Sequence, residues 1–473
     1  MGREITVNHF RREDFLRFER AMVREMALLH EYFRTRRFSS EPIRIGLELE
    51  LWLVDEQGQP QPRNAEFLDL VDNPDIVPEL SQFNVEFNVE HQALTAAGLF
   101  RLEQGLGETW KEANRAARKL GLSLVAIGVL PTIREQDLSL ETMSARSRYR
   151  ALNEQVRRLR RGRPITLSIE GEETLDIRHD DVMLEAAATS LQMHLQVPAD
   201  AAVRYFNAAV IASGPTAGLS SNSPVLFGKR LWSESRIPLF EKAVDIGGLY
   251  PRVDLGSGYA HEELEEFFLE NRSCHPVLLP IDLNDPIELL PHLRLHNGTI
   301  WRWNRPLIGF NDIGVPHLRI EHRVMSAGPT LIDMLANVAF AAGLIHHLAR
   351  SSTPPESQLP FELTLQNLNE AARHGLDAEQ TWLDGRERTL RALILEELLP
   401  AADAGLQLLE ISDTDRNRYL EVITHRVESG QTGSRWQLAW LDQHGNDFAA
   451  LTCAYAKWQQ TGLPVHEWTL EKP

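Results

Sequence analysis

Four stretches of this chain alternate apolar and polar residues, and this alternation constrains the fold more than any other feature of the sequence. They cover residues 43–53, 83–90, 191–197 and 317–325. A period of two residues predicts β-strands, because successive side chains of a strand point to opposite faces. In all four stretches the polar face carries carboxylate, amide, histidine or arginine side chains, more than a plain solvated sheet needs. The pattern predicts a sheet with one face in the core and a reaction site on the other.

Composition excludes several classes of protein. The chain has 473 residues, enough for a large core or for two or three domains, and its net charge of −18 weighs against nucleic-acid binding. No uninterrupted apolar run of about 18 residues is present and the N-terminus lacks an apolar signal core, so we expect neither a membrane span nor a secretory signal. Only Cys274 and Cys453 are present, which is typical of a reducing compartment and suggests structural roles for both. We therefore expect a cytoplasmic protein.

The chain divides into three predicted regions. Residues 1–40 contain an amphipathic helix, predicted over 12–36, which packs on the main body or in a dimer interface, so that a homo-oligomer is an open alternative. Residues 41–350 form the predicted catalytic domain. Residues 351–473 form a helical region packed on it, and the Pro- and Ser-rich start of this region is the best linker candidate.

The order of elements favours an α+β fold. Strands occur mainly before residue 325 and helices dominate from Pro329 onward, without the strand–helix rhythm and glycine-rich first turn of a doubly wound sheet. Residues 201–213 predict a helix, and the following GPTAGLSSNSP predicts a loop. A phosphate loop of the GxxxxGK[ST] type is absent from the sequence. A nucleotide would therefore be bound by a sheet face, metals and arginines.

Carboxylates on the polar strand faces predict a divalent-metal site. Glu48 and Glu50 are two residues apart on one strand, so they share a face with attachment points about 7 Å apart. A glutamate on a strand face is usually just solvated, but each of these strands is otherwise apolar. Oxygen ligands suit Mg²⁺ and Mn²⁺, and Mn²⁺ tolerates a histidine better. The candidate metal ligands are Glu48, Glu50, Glu79, Glu86, His194 and Glu321.

Arginines next to these carboxylates predict an anion site. Arg319 and Arg323 flank Glu321 on one strand face, an arrangement that clamps a transferring phosphoryl group. A cross-strand salt bridge to one of the glutamates is the alternative, and for Arg319 the two stay open. Arg302 in TIWRWNR is a further candidate anion ligand.

Five motifs in order resemble the glutamate–cysteine ligase family, specifically its bacterial and plant-type carboxylate–amine ligase branches in the glutamine synthetase-like superfamily. They read IGLELELWLVD, PELSQFNVEFNVE, ATSLQMHLQV, LSSNSPVLFGK and HLRIEHRVMSAGP. The resemblance covers roughly residues 43–325, with a weaker match in the helical tail. It implies a curved, mainly antiparallel sheet whose concave face holds metals, ATP and glutamate, flanked by helices and followed by a helical C-terminal region.

The resemblance also implies roles for individual residues. Arg323 would contact the ATP γ-phosphate and, with Glu48 and Glu321, act in catalysis; the six candidate metal ligands keep that role. The nucleotide-binding candidates are Arg323, Arg319, Lys229, Asn222 and Arg302. The chain departs from the family at Leu49, which interrupts a run of glutamates, at Glu79, where relatives have Asp, and at Gln192, where one branch has His.

The activity implied by the resemblance is an ATP- and Mg²⁺- or Mn²⁺-dependent ligase that forms a C–N bond. It would join the side-chain carboxylate of glutamate, through an acyl phosphate, to an amine such as cysteine, as in glutathione biosynthesis. Two alternatives remain open from the residues alone. One is a metal-dependent hydrolase that uses the same carboxylates to activate water, and the other is a non-catalytic relative that binds Mg-ATP.

Overall fold

The fold is organised around one seven-stranded antiparallel sheet. The computed structural model describes residues 9–471. The strands are β1 (Arg44–Val54), β2 (Ile76–Pro78), β3 (Asn84–Ala93), β4 (Ser123–Val125), β5 (Ile165–Glu170), β6 (Thr174–His179), β7 (Ser190–Val197), β8 (Val225–Leu226), β9 (Lys229–Arg230), β10 (Asn304–Phe310), β11 (Pro316–Ser326), β12 (Glu379–Thr381) and β13 (Glu387–Thr389). The order in the main sheet is β10-β11-β7-β1-β3-β2, and β4 pairs with β1. The remaining strands form three two-stranded hairpins.

The four alternating stretches are β1, β3, β7 and β11, which confirms the predicted curved antiparallel sheet flanked by helices. They are consecutive in the sheet, and every pairing between them is antiparallel. Apolar side chains of one face are fully buried, as Leu49 and Phe87 show at 0% exposure. Much of the polar face is buried too, with Glu48 at 7% and Glu321 at 0% exposure, whereas Glu50 is half-buried. On a half-solvated sheet these polar side chains would be exposed to solvent. Other parts of the chain therefore cover this part of the polar face.

Fifteen α-helices surround the sheet in the described part of the chain. They are α1 (Arg12–Arg34), α2 (Asn64–Val71), α3 (Gly98–Lys119), α4 (Ser147–Leu159), α5 (Ala202–Leu219), α6 (Arg236–Ala243), α7 (Glu265–Cys274), α8 (Pro291–Asn297), α9 (Leu331–Arg350), α10 (Phe361–His374), α11 (Leu390–Leu393), α12 (Leu399–Leu408), α13 (Asp413–Ser429), α14 (Gly433–His444) and α15 (Phe448–Thr461). Helices α3 and α5 pack on β3 and β11, and α9 packs on α5, α12 and α13. The C-terminal part is therefore mainly helical, as predicted.

Helix α9 is long and apolar enough to cross a membrane by length and composition alone. Its most apolar window is 83% buried inside the protein. The helix begins at Thr330, whose hydroxyl accepts the Asp333 N–H, and Asp333 is itself buried with the ion-pair partner Arg426. These contacts identify α9 as a helix of the protein core.

Three local predictions differ from the structure. Helix α5 continues through Pro215 to Leu219, where the sequence predicts a loop, because Gly214 and Gly218 allow close packing on α10 and on Leu390. The stretch TIWRWNR (residues 299–305) alternates apolar and polar residues, which predicts a strand, but the strand begins only at Asn304. The hairpin β12–β13 interrupts the helical C-terminal region. In α5, the contacts of Gly214 and Gly218 with segments far away in the sequence outweigh the local preference for a loop.

Candidate active site

The polar faces of β1, β3, β7 and β11 form one continuous surface, because these strands are neighbours. Glu321 faces His194 across β11 and β7, and Glu50 faces Glu86 across β1 and β3. Glu48 lies one two-residue step from Glu50 on the same face of β1. The structure thus brings together the six residues predicted as metal ligands, and they form two groups.

The first group consists of Glu48, His194 and Glu321, and we call it the Glu48 group. One ligand atom from each lies within 4.8 Å of the other two. His194 Nε2 is 3.2 Å from Glu48 Oε1 and 3.7 Å from Glu321 Oε1. His194 is 5% exposed, and its Nδ1 has no hydrogen-bond partner among the described residues. A buried imidazole aimed at two carboxylates fits a divalent cation that accepts mixed oxygen and nitrogen ligands.

The second group consists of Glu50, Glu79 and Glu86, and we call it the Glu50 group. Its ligand atoms also lie within 4.8 Å of one another. Three hydrogen bonds fix Glu50, from the Ser190 N–H at 2.7 Å, the Ser190 hydroxyl at 3.1 Å and Gln192 Nε2 at 2.9 Å. One oxygen of Glu86 accepts a bond from Asn88 Nδ2 at 3.1 Å.

Burial and repulsion between neighbouring carboxylates raise the pKa values of Glu50 and Glu86 in the Glu50 group. Burial, and next the charge of Glu79, raise the pKa of Glu50 to about 7. Burial and the charges of Glu48 and Glu79 raise the pKa of Glu86 well above its usual value. Glu185, from the short 3₁₀ turn Val182–Ala187, adds a further carboxyl with a strongly raised pKa for similar reasons. A bound cation would compensate this excess of negative charge.

Arginines keep Glu321 ionised. Burial opposes ionisation, but Arg305 and next Arg323 outweigh it and hold the pKa of Glu321 well below its usual value. Arg305 donates two hydrogen bonds to Glu321, at 2.7 and 2.9 Å, and Arg323 Nη1 lies 3.2 Å from the same carboxylate. Burial likewise opposes ionisation of Glu48, and His194 outweighs it, so that the pKa of Glu48 is lowered.

Gln192 connects the arginine side of the site to the carboxylate side. Its Oε1 accepts a hydrogen bond from Arg323 Nη1 at 2.5 Å, while its Nε2 donates to Glu50 Oε1 at 2.9 Å. An amide suits this position because it offers an acceptor to the cation and a donor to the carboxylate. Gln192 therefore orients Arg323 and Glu50 relative to each other.

A cavity of about 480 Å³ opens on this surface. The sheet side of the cavity is polar and includes Arg319 and Arg323 with Glu48 and the three carboxylates of the Glu50 group. Most of the remaining lining is supplied by residues 279–301, which we call the wall segment. Its side chains are mainly apolar; those in contact with the cavity include Leu279, Ile281, Leu283, Leu289, Pro291, Leu295 and Trp301. This half-polar, half-apolar shape is typical of a small-molecule site that excludes water from charged reacting groups.

Three residues predicted to bind the nucleotide do not line the cavity. Asn222 is 0% exposed and donates to Ala327 O at 2.7 Å and to the Tyr455 hydroxyl at 2.8 Å. Lys229 lies on β9 and pairs with Glu173 at 2.9 Å. Arg302 pairs with Glu270 at 2.9 Å. Each side chain is held by a partner away from the cavity, so these placements do not support the predicted contacts.

Sequence reasoning missed Arg305 and Glu185, and it noted Gln192 only as a departure from a family pattern. Arg305 follows a tryptophan-rich stretch, and only the pairing of β10 with β11 places it opposite Glu321. Glu185 lies outside the alternating stretches. Arg148 and Tyr149, at the start of α4, also line the cavity. The many arginines between positions 148 and 163 are a signal in the sequence that could have found Arg148.

The sequence matches the model of glutamate-cysteine ligase family 2 over residues 44–452. No curated protein matches it. Among solved structures the chain is similar to the glutamate–cysteine ligase of Francisella tularensis in complex with AMP. The TM-score is 0.53 at 12% identity, over 92% of this chain and 91% of that one.

A second similar structure is the bifunctional glutathione synthetase of Pasteurella multocida. The TM-score is 0.51 at 12% identity, over 92% of this chain, which spans about half (54%) of that protein. At such identities the likeness to both structures concerns the fold. The family match covers the strands that carry both carboxylate groups, from β1 to β11.

Proposed function

Because the chain belongs to glutamate-cysteine ligase family 2, we propose that it joins the side-chain carboxylate of glutamate to an amine at the expense of ATP. The observation that carries this proposal is that Glu48 and the three carboxylates of the Glu50 group share one cavity surface with Arg305, Arg319 and Arg323. The neighbouring ligase of Francisella tularensis was solved with AMP, which supports a nucleotide as co-substrate here.

Amide formation requires activation of the acid, because a carboxylate oxygen is a poor leaving group. In the proposed reaction an oxygen of the acid attacks the γ-phosphorus of ATP, the bond from that phosphorus to the ADP oxygen breaks, and an acyl phosphate forms. The amine nitrogen then attacks the acyl carbon, the carbon–oxygen bond to phosphate breaks, and the amine loses a proton. This sequence requires no covalent nucleophile from the protein, and Cys274 and Cys453 do not line the cavity.

In the proposed reaction, the position of each residue indicates its role. The Glu48 group and the Glu50 group would each hold Mg²⁺ or Mn²⁺, and the bound cations would neutralise the phosphates. Arg323 would stabilise negative charge on the transferred phosphoryl group, and Arg319 would bind a neighbouring anionic oxygen. Gln192 keeps Arg323 in place, and the apolar wall segment keeps water from the activated acid.

The acceptor amine is the open part of the proposal. Cysteine is the first amine to test, because the family is named for it. The wall segment offers mainly apolar surface to the side chain of the acceptor.

The decisive experiment measures ADP release and amide product with ATP, Mg²⁺, glutamate and a panel of amines that includes cysteine. We expect ADP and amide in equal amounts, and only when acid and amine are both present. The variants Glu48→Ala and Arg323→Ala should lose activity, whereas Lys229→Ala, away from the cavity, should keep it. ATP-independent hydrolysis of a phosphoester or amide would instead indicate a metal-dependent hydrolase. Mg-ATP binding without turnover of any amine would indicate a non-catalytic relative.

A further inference from the structure

Helix α1 lies outside the region matched by the family model, yet it contacts the wall of the cavity. The match begins at residue 44, and α1 covers Arg12–Arg34. Helix α1 packs against α7 and α8. Helix α8 in turn belongs to the wall segment and contributes Pro291, Arg294 and Leu295 to the cavity. A part of this chain that the family model does not describe thus supports one side of the site.

Glu25 is the exceptional residue on the buried face of α1. The other buried side chains of that helix are apolar or aromatic, whereas Glu25 is a carboxylate with 1% exposure. Burying a carboxylate costs several kcal/mol unless its oxygens are paired. Glu25 Oε1 lies 2.6 Å from His292 Nδ1, and Oε2 accepts the Leu293 N–H at 2.8 Å. Both oxygens are therefore committed to the first turn of α8.

Tyr32 makes a second contact two turns further along α1. Its hydroxyl donates to the backbone oxygen of Glu288 at 2.9 Å, and the side chain is 1% exposed. Glu288 directly precedes Leu289, which lines the cavity. Glu25 and Tyr32 thus hold residues 288–293 at both ends.

We propose that α1 positions the wall segment for substrate binding, with Glu25 and Tyr32 as the positioning residues. Neither residue lines the cavity, so they act through residues 288–293, which they contact. The inference deepens the proposed function and rests on it for the identity of the substrates. Without these contacts the wall segment would move, and a substrate that touches it would bind less tightly. The reacting groups lie on the sheet side, so the chemical step should change little, and KM should rise while kcat is kept.

The test compares three variants of the full-length protein. Glu25→Ala removes both contacts with α8, whereas Glu25→Gln keeps an acceptor for the Leu293 N–H and a polar group for His292. Glu19→Ala is the matched control, because Glu19 is exposed on the same helix. For each variant, KM and kcat are measured for ATP, glutamate and cysteine, and amide hydrogen exchange is followed in peptides that cover residues 286–298.

We expect Glu25→Ala to raise KM for at least one substrate about tenfold, equivalent to about 1.4 kcal/mol of binding free energy, with kcat within about twofold of wild type. Exchange should accelerate in residues 286–298 and stay unchanged elsewhere. In Glu25→Gln, KM and hydrogen exchange in residues 286–298 should be close to those of wild type. Glu19→Ala should change neither quantity. Unchanged KM and exchange in Glu25→Ala would overturn the inference, as would faster exchange throughout the chain at unchanged KM.

If Glu25→Ala does not fold, Tyr32→Phe, which removes a single hydroxyl, decides by the same measurements. A wild-type protein inactive with every amine would refute the proposed function without deciding the role of α1. In that case exchange alone decides the inference. Acceleration confined to residues 286–298 supports it, and chain-wide or absent acceleration overturns it.

Discussion

Arg305 holds Glu321 through two parallel hydrogen bonds, from Nε at 2.7 Å and from Nη2 at 2.9 Å. The two residues face each other across the paired strands β10 and β11. Glu321 is 0% exposed, so without cationic partners burial would favour its neutral form. An ionised carboxylate is the form that binds a divalent cation. Arg305 therefore keeps Glu321, one of the proposed metal ligands, in its ionised form.

Removal of Arg305 should destabilise the fold. Arg305→Met leaves the buried Glu321 with Arg323 as its remaining arginine, and removal of one partner of a buried ion pair costs about 3–5 kcal/mol. Urea denaturation measures this loss of unfolding free energy. Arg134→Met is the matched control, because Arg134 makes the same two-bond contact with Asp137 on the surface. That exposed pair should contribute at most about 1 kcal/mol. Equal losses in both variants would contradict the role given to burial.

Divalent cations should stabilise the folded protein. A ligand that binds the folded state alone adds about 2.7 kcal/mol at one hundred times its dissociation constant, so Mn²⁺ and Mg²⁺ should both raise the melting temperature. His194→Ala should weaken Mn²⁺ binding to the Glu48 group and leave the Glu50 group intact. Mn²⁺ titration followed by electron paramagnetic resonance counts the sites in each variant. His261→Ala, which changes an exposed histidine, is the control. An equal loss of Mn²⁺ binding in His261→Ala would contradict the assignment of His194 as a metal ligand.

The strands and their faces could be predicted from the sequence because the alternation is local. The stretch predicted over residues 43–53 is β1 at Arg44–Val54, shifted by one residue. The polar face then follows from the period of two, which placed Glu48 and Glu50 correctly on one face. Which strands pair, and in which register, depends on contacts between segments far apart in sequence. The opposition of Arg305 and Glu321 could therefore not be predicted.

The wrong or unsupported predictions share a physical cause. Asn222 lies in the segment predicted as a loop (residues 214–224), but this segment is helical up to Leu219, and Asn222 is held by Tyr455, 233 positions later in the chain. Lys229 is the last residue of the motif LSSNSPVLFGK, yet a hairpin places it beside Glu173. A motif fixes the neighbourhood of a residue in sequence, while the packing of distant helices decides which way its side chain points.

Arg319 and Lys229 should behave differently when truncated, although the sequence predicted a nucleotide contact for both. Arg319 lines the cavity, and no hydrogen bond or ion pair is found for its guanidinium among the described residues, so it is available to an anion. Arg319→Ala should lower kcat/KM by about 10- to 100-fold, the value of one or two charge-assisted hydrogen bonds. Lys229→Ala should stay within about twofold of wild type, because its exposed ion pair contributes little. Equal effects in a steady-state assay would contradict the placement of the two residues.

The stability of the metal-free protein should fall as pH rises from about 4.5 to about 7. The pKa of Glu50 is raised by burial and by Glu79 from 4.5 to about 7. In that window the folded chain binds more protons than the unfolded chain, so the free energy of unfolding decreases with pH. Glu321 acts in the opposite direction at lower pH, because its lowered pKa gives stability that is lost as pH falls below about 4.5.

Saturating Mg²⁺ should abolish the decline between pH 4.5 and 7, because the cation then neutralises the Glu50 group in place of protons. Glu50→Gln should also make the decline of stability with pH less steep, since an amide does not titrate. Urea denaturation at pH 5, 6, 7 and 8, with and without Mg²⁺, measures both effects. Glu141→Gln, on an exposed residue, corrects for the general rise in negative charge. If wild type and Glu50→Gln lose stability in parallel without Mg²⁺, the Glu50 group does not carry the buried repulsion on which a metal site here would depend.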